Sequence, residues 1–323
     1  MPKAYLIYNP AAGRFPPKRL AQRAADTLRQ QGWSVRLVRT KGGEHITELA
    51  QRAAAKEMDA LFLAGGDGPI GKAVAGLVGT KTALGVLPSG TANVWAQELG
   101  LPGLSWMRWL ALEESAGKLA HAPARGVDAG VCNGTPFLLW AGVGLGAFVV
   151  HHMEPRQRWE KYFGIPKYAA AALRGATEWR GLNLQVEVDG ERVSGSYILA
   201  VVSNIRRYAG GLAQISPQAQ LDDGIMDLWL FDGETFADVL RRAWDLLAGR
   251  HVQSDQVQCF PFRHLRLESE DPMAIQLDGD PVDAETSVTI DVLPQAMRVL
   301  VPPKAVRDLF TQPGFETDSI VME

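Results

Sequence analysis

Two glycine-bearing segments, Gly65-Gly66-Asp67-Gly68 and Leu87-Pro88-Ser89-Gly90-Thr91-Ala92-Asn93, constrain this chain more than any other feature. Each follows a short apolar run, Ala60 to Ala64 and Ala83 to Leu87, that reads as a buried strand. Each precedes an amphipathic stretch. Glycines at a strand end let the backbone turn tightly and approach a ligand closely. The helix starts that follow aim unpaired N–H groups and a positive dipole end at phosphate. Two such loops, roughly twenty residues apart, place one nucleotide site at the carboxyl edge of a parallel sheet. A carboxylate beside phosphates repels them, so Asp67 is expected to act through a metal ion.

The first third of the chain alternates strand and helix. Tyr5 to Tyr8 reads as a strand and runs into the turn Asn9-Pro10-Ala11-Ala12-Gly13. Pro16 to Gln31 reads as a helix, with Leu20, Ala24 and Leu28 on one stripe and Gly32 ending it. Val35 to Val38 is the next strand, Thr40-Lys41-Gly42-Gly43 the next turn, and Ile46 to Glu57 the next helix. Four loops at the carboxyl ends of consecutive strands make the topology of a ligand crevice. Thr91 is expected to cap a helix or to offer its hydroxyl to phosphate. Strands alternating with long helices predict a parallel sheet covered on both faces.

Near residue 120 the pattern changes to alternating β signals. Asn133-Gly134 and Asp189-Gly190 predict hairpin turns. Tyr197 to Val202, Met226 to Phe231, Val257 to Phe262, Leu265 to Leu267, Val288 to Leu293 and Met297 to Val301 all read as strands. Helical insertions are expected at Pro166 to Trp179 and Thr235 to Leu247. The expected organisation is an α/β domain over residues 1–122 and a mostly antiparallel β-sandwich over 123–323, whose final segment returns to domain one. The tail from Pro302 onward is polar and expected to fray, above all past Pro313.

Composition enters as exclusion. A formal net charge of −3 gives no global field toward nucleic acid or an anionic membrane. Cys132 and Cys259 make no disulfide framework and are expected to be core thiols in a reducing compartment. The strongest candidate for a membrane span, Phe137 to Val150, is shorter than the roughly twenty residues a span needs and is broken by Gly142, Gly144 and Gly146. Trp106, Trp109 and Leu110 are expected in the core. Basic and aromatic residues mix from Arg156 to Trp179, a pattern that suits either a membrane surface or a helix packed on its own domain. His151 and His152 lack ligand spacing and are assigned no metal.

Taken in order along the chain, these motifs resemble those of the diacylglycerol kinase catalytic-domain family, bacterial lipid kinases related to sphingosine kinases. Asn9-Pro10 with Gly13 resembles the family's first motif, and Gly65-Gly66-Asp67-Gly68 its nucleotide motif. Pro88-Ser89-Gly90-Thr91-Ala92-Asn93 resembles its third. Gly210-Gly211, Pro217, Asp222-Asp223-Gly224 and Asp227 resemble a later stretch, and Asp278-Gly279-Asp280 the late acidic loop. The resemblance implies an NAD kinase/diacylglycerol kinase-like fold and transfer of the γ-phosphoryl group of ATP, with Mg²⁺, to the hydroxyl of diacylglycerol or a related lipid. It implies ATP between the domains, near Asn9, Thr40, Gly65, Gly66, Asp67, Gly68, Gly90, Thr91 and Asn93. It implies Asp280 as proton acceptor, Asp67 in the Mg²⁺–phosphate network, and Asp128 and Asp278 on the substrate side. A structural Mg²⁺ or Ca²⁺ would involve Gln220, Asp223 and Ile225. Cytoplasmic location with peripheral membrane contact follows from a lipid substrate.

The chain also departs from the family pattern. Pro69, Gly71 and Lys72 stand where Thr and Asn-Glu are usual, Val94 replaces a common Asp, and Asp280 replaces Glu. Lys72 is expected to compensate by touching a phosphate of ATP. These departures keep a rival open, a nucleotide- or lipid-binding protein without catalysis. A second rival is a kinase of a soluble substrate, such as an NAD kinase. A dehydrogenase fits least, since no Gly-x-Gly-x-x-Gly follows the first strand.

Overall fold

A computed structural model describes residues 1–10, 16–145, 147, 181–305 and 309–311. The chain divides into two compact units. The first comprises Met1–Asp128, Gln220–Asp223 and Pro294–Glu323, and the second Ala129–Ala219 and Gly224–Leu293. Gly13, Gly146, His151, His152, the basic and aromatic segment from Arg156, and the helix expected at Pro166 to Trp179 lie outside the described residues.

In the first unit, β1 (Lys3–Tyr8), β2 (Ser34–Arg39), β3 (Ala60–Gly65) and β4 (Ala83–Pro88) run parallel in the order β2-β1-β3-β4. Every residue of β3 and β4 is buried, as a sheet covered on both faces requires. The helices are α1 (Pro17–Gln30), α2 (Gly43–Ala55), α3 (Gly68–Leu77), α4 (Val94–Glu98) and α5 (Ala111–Ala120). The stripe predicted for α1 is the buried one: Leu20, Ala24 and Leu28 face inward with Ala21 and Ala25. Helices α2 and α3 touch backbone to backbone at Gly76, where a Cβ would lie 2.6 Å from the Ala50 Cβ. Beyond β4, Val299 pairs in parallel with Leu84. Val299 lies in the part of the last strand, β15 (Asp280–Leu300), that belongs to this unit.

The second unit is sandwich-like. It contains β7 (Trp140–Gly144), β8 (Leu182–Val188), β9 (Glu191–Ser203), β12 (Met226–Asp232), β13 (Val257–Phe262), β14 (His264–Leu277) and the first part of β15. Shorter strands are β6 (Thr135–Phe137), β10 (Arg207–Tyr208) and β11 (Ala213–Gln214), and β5 (Ala124–Cys132) enters from the first unit. Strand β9 pairs β8 along its first half, then β7 and β12 along its second. Strand β14 pairs β15 at both ends, with β8 on its other side at one end and β7 at the other. These two long strands are thus shared around one core, which includes Val186, Tyr197, Val202, Leu228, Phe262 and Ile290. Both expected hairpin turns form, with left-handed backbone at Asn133 and Gly134 and at Asp189 and Gly190. One longer helix, α6 (Phe236–Leu247), starts at a capping box made by Thr235 and Asp238.

Three expectations fail. Trp106 and Trp109 are 83% and 55% exposed, and Leu110 is exposed with them. Their segment turns on Ser105, whose hydroxyl accepts from the Arg108 N–H, and Trp109 lies under the Arg23 guanidinium instead of in the core. Cys132 is buried but Cys259 is exposed, because it sits on the outer face of β13, paired only with β12. The tail does not fray at once: Leu309 and Phe310 are buried. The Leu309 carbonyl accepts from the Leu221 N–H, and Arg125 covers the Phe310 ring. Among the described residues no helix is long and apolar enough to cross a membrane.

Candidate active site

Because β1 to β4 are parallel, their carboxyl ends share one edge. Asn9 follows β1, Thr40 follows β2, Gly65 to Gly68 close β3, and Ser89 to Asn93 follow β4. The chain leaves β1 toward β2 on one side and resumes with β3 on the other, so β1 and β3 flank a topological switch point. Asn9 and Gly65 stand at its two sides. Thr40 is tied in by its N–H to the Tyr8 carbonyl (2.9 Å). Its hydroxyl is buried with no hydrogen-bond partner among the described residues.

The two glycine loops are knitted into one structure. The Ser89 N–H donates to the Gly65 carbonyl (3.0 Å). A Cβ on Gly90 would lie 2.5 Å from the Gly66 Cα, so the two backbones touch where neither has a side chain. Asn93 takes the left-handed backbone (φ 55°) that Asn tolerates, and its side chain folds back onto Gly90. There it accepts from the Gly90 N–H (2.8 Å) and donates to the Gly90 carbonyl (3.0 Å). Asn93, not Thr91, therefore stands at the start of α4, and Thr91 is exposed.

Asp67 joins the same structure. Its carboxylate accepts from the Trp95 N–H (3.1 Å), and the N–H groups of Val94 and Asn93 also face it. Burial pushes the Asp67 carboxyl above its ordinary value, and these backbone donors pull it part of the way back. Pro69 sits in the first turn of α3, where a missing N–H costs little. The Lys72 side chain reaches across to Gly43, its Cε 3.6 Å from where a Gly43 Cβ would be. Its stem thus lies against the start of α2. Val94 is buried, so the position often held by an Asp serves packing here.

In the second unit, Asp278 and Gly279 form the two-residue turn between β14 and β15, both with positive φ (51° and 84°). Asp278 is 2% exposed. Its carboxylate accepts from three consecutive backbone N–H groups: Leu138 (2.9 Å), Leu139 (2.7 Å) and Trp140 (3.2 Å). The same segment is held from its other side by Asn204, which donates to the Leu138 carbonyl (2.7 Å). Buried Gln276 accepts from the Gly279 N–H (2.7 Å). Asp278 is therefore the anchor of the turn, and Asp280, the first residue of β15, is the half-buried carboxylate that the turn presents.

Asp128 is fully buried, and its carboxylate accepts from the Gln295 N–H (2.7 Å), which fixes β5 to the last strand. Asp222 accepts from the N–H and hydroxyl of Thr311. Among the described residues no three His, Cys, Asp or Glu side chains gather as a metal cluster. A cation here would draw on carbonyl, hydroxyl or phosphate oxygens, which suits a hard ion. The segment from Gln220 to Ile225 carries such donors, with Gly224 in a left-handed turn (φ 74°).

Residues 3–128 match the family described as the diacylglycerol kinase catalytic domain, and residues 141–301 match the YegS C-terminal NAD kinase beta sandwich-like domain. The chain belongs to the diacylglycerol kinase catalytic-domain family. A diacylglycerol kinase of Bacillus subtilis (strain 168) is 27% identical over 282 residues, 87% of this chain and 90% of that protein. A diacylglycerol kinase of Mycobacterium tuberculosis (strain H37Rv) is 29% identical over 310 residues, 93% of this chain and 95% of that one. The fold matches the crystal structure of a diacylglycerol kinase from Bacillus anthracis str. Sterne with a TM-score of 0.69 at 19% identity, covering 94% of this chain and 98% of that one. These relatives are lipid kinases, and lipid kinase is the class this chain joins.

Within this family frame, sequence reasoning missed Asn204 and Gln276. Both follow or end strands in apolar surroundings, Val201-Val202-Ser203-Asn204 and Ile275-Gln276-Leu277. A polar residue inside such a run is the signal that would have found them.

Proposed function

We propose that this protein transfers the γ-phosphoryl group of ATP to a hydroxyl of diacylglycerol or a closely related lipid alcohol. The observation that carries the nucleotide half is the Gly66–Gly90 contact at the sheet edge, where bare backbone faces the switch point. Asn9, Thr40, Gly65, Gly66, Gly68, Lys72, Gly90 and Thr91 line or adjoin that edge and would hold the phosphates and ribose. The Asn93 side chain would act from behind, by fixing Gly90. Mg²⁺, when bound with ATP, would neutralise phosphate charge and orient the transferred group. Asp67 would join that network while it holds the start of α4. A structural Mg²⁺ or Ca²⁺ would take Asp223 and the carbonyls of Gln220 and Ile225.

Asp280 would act as general base. The lipid hydroxyl oxygen forms the new bond to the γ-phosphorus as the bond to the β-bridging oxygen breaks. ADP leaves, and the hydroxyl proton passes to the Asp280 carboxylate. Asp278 sets where that carboxylate stands and does not itself meet substrate. Phosphate transfer from γ-labelled ATP to diacylglycerol, monoacylglycerol, phosphatidylglycerol, ceramide and sphingosine in mixed micelles tests the reading. A labelled lipid that disappears in Asp67→Asn and Asp280→Asn supports it. ATP or lipid binding with no labelled product would favour the non-catalytic rival, for which the packing role of Val94 is the specific observation.

A further inference from the structure

Helix α6 carries apolar side chains on both its inward and its outward sides. Inward, Leu246 is buried beside Arg242, which is 6% exposed and bonds the Asp245 carboxylate (3.2 Å), the Asp232 carbonyl (3.4 Å) and the Gln256 side chain (3.4 Å). Its outward side is apolar. Phe236, Leu240, Trp244 and Leu247 fall on one stripe and are 36%, 47%, 62% and 53% exposed. Val252, just past the helix, is exposed as well. A surface helix in water does the opposite, so this face is built for another medium.

We propose that α6 is the surface by which this protein lies on a lipid bilayer. The choice of a bilayer rests on the lipid-kinase reading, which requires the protein to reach a membrane-held substrate. The geometry argues against a second copy as occupant. The exposed parts of these five side chains amount to roughly 500 Å², short of the about 800 Å² that each partner gives to a stable protein interface. An interfacial helix needs no more than one such stripe, seated shallowly among headgroups and acyl chains. Trp244 stands near its middle, and tryptophan favours that boundary. Exposed Arg241 flanks the stripe and can reach headgroup phosphates, as can Arg250, which also pairs with Asp245 (3.6 Å); Glu234 and Asp255 are exposed acids nearby. The capping box and the buried Arg242 network fix the helix, so the stripe is presented without reordering.

The test is co-sedimentation of the full chain with phosphatidylcholine–phosphatidylglycerol vesicles, without nucleotide. Leu240→Ser/Trp244→Ser should lower partition about tenfold or more. Phosphorylation of a short-chain, water-soluble diacylglycerol should be unchanged in that variant. On the unaltered protein, amide exchange across α6 should slow when vesicles are added. Equal sedimentation of both proteins, or unchanged exchange in α6, overturns the proposal. So does a concentration-dependent dimer that the double substitution abolishes, which would assign the face to a second copy. Vesicle binding lost in the variant, with no lipid phosphorylated by either protein, would keep the docking surface and remove the kinase reading instead.

Discussion

Asp67 and Asp278 each give a carboxylate to the backbone N–H groups of a neighbouring segment, yet the two regions differ in what that leaves over. Around Asp67 the tie joins two loops at a sheet edge, where the Gly66 and Gly90 backbones meet bare of side chains. Around Asp278 the tie is sealed: three N–H groups and one carboxylate close on each other in the interior. The same acidic residue beside glycines thus ties together two loops at the sheet edge in one unit and a packed turn in the other. In the second unit the residue proposed for the chemistry is two positions on, Asp280.

The sharpest break between these roles is at Asp280. Asp280→Asn should lower kcat for lipid phosphorylation by roughly 10³-fold, the range for loss of a general base. Its urea unfolding midpoint should stay put, since the residue is half-buried at a strand start. Asp278→Ala should do the reverse in kind. Three buried N–H groups lose their acceptor, which costs about 3–4 kcal/mol in urea unfolding. A stable Asp278→Ala protein with no activity would reverse the assignment and return Asp278 to the substrate.

Gly90→Ala tests the first region. The added methyl meets the Gly66 backbone at 2.5 Å, so the loops must part, at about 1–3 kcal/mol. ATP affinity should fall with stability, and retained affinity would separate the Gly66–Gly90 contact from the nucleotide. Lys72→Ala is milder. If its ammonium meets a phosphate, KM for ATP should rise about tenfold with stability nearly unchanged. An unchanged KM would leave Lys72 as a packing stem over Gly43.

Much of this was legible in the sequence, and the reasons are local. Asn133-Gly134 and Asp189-Gly190 demand left-handed backbone, and few structures besides a tight hairpin supply it. Uninterrupted apolar runs leading into Gly65 and Pro88 marked β3 and β4, since both faces of these strands are covered. What stayed hidden depends on partners distant in sequence. Nothing local says that Asp278 meets Leu138 to Trp140, some 140 residues away, while Asp280 does not. Trp106, Trp109 and Leu110 look like core because hydrophobicity alone carries no direction. In helix α6 the direction is again a matter of structure: Phe236, Leu240, Trp244 and Leu247 are exposed while Arg242 is buried.

The smallest expected effect compares Asp67 with itself across pH. Burial holds its folded-state pKa above the ordinary carboxylate value, so the folded protein keeps this proton to higher pH than the unfolded chain does. The native state binds more protons in that window, and stability therefore falls as pH rises from the ordinary value through the raised one. Above it the loss is complete and constant. Asp67→Asn removes the titration yet leaves an oxygen to accept from the Trp95 N–H. The stability of Asp67→Asn relative to the unaltered protein should therefore climb with pH above the ordinary carboxylate range and level off once Asp67 has titrated in the folded protein. The total climb measures how far burial outweighs the backbone donors at Asp67. Urea unfolding at a series of pH values reads it directly. A flat difference would mean that the N–H groups around α4 offset burial, and a falling one that they outweigh it.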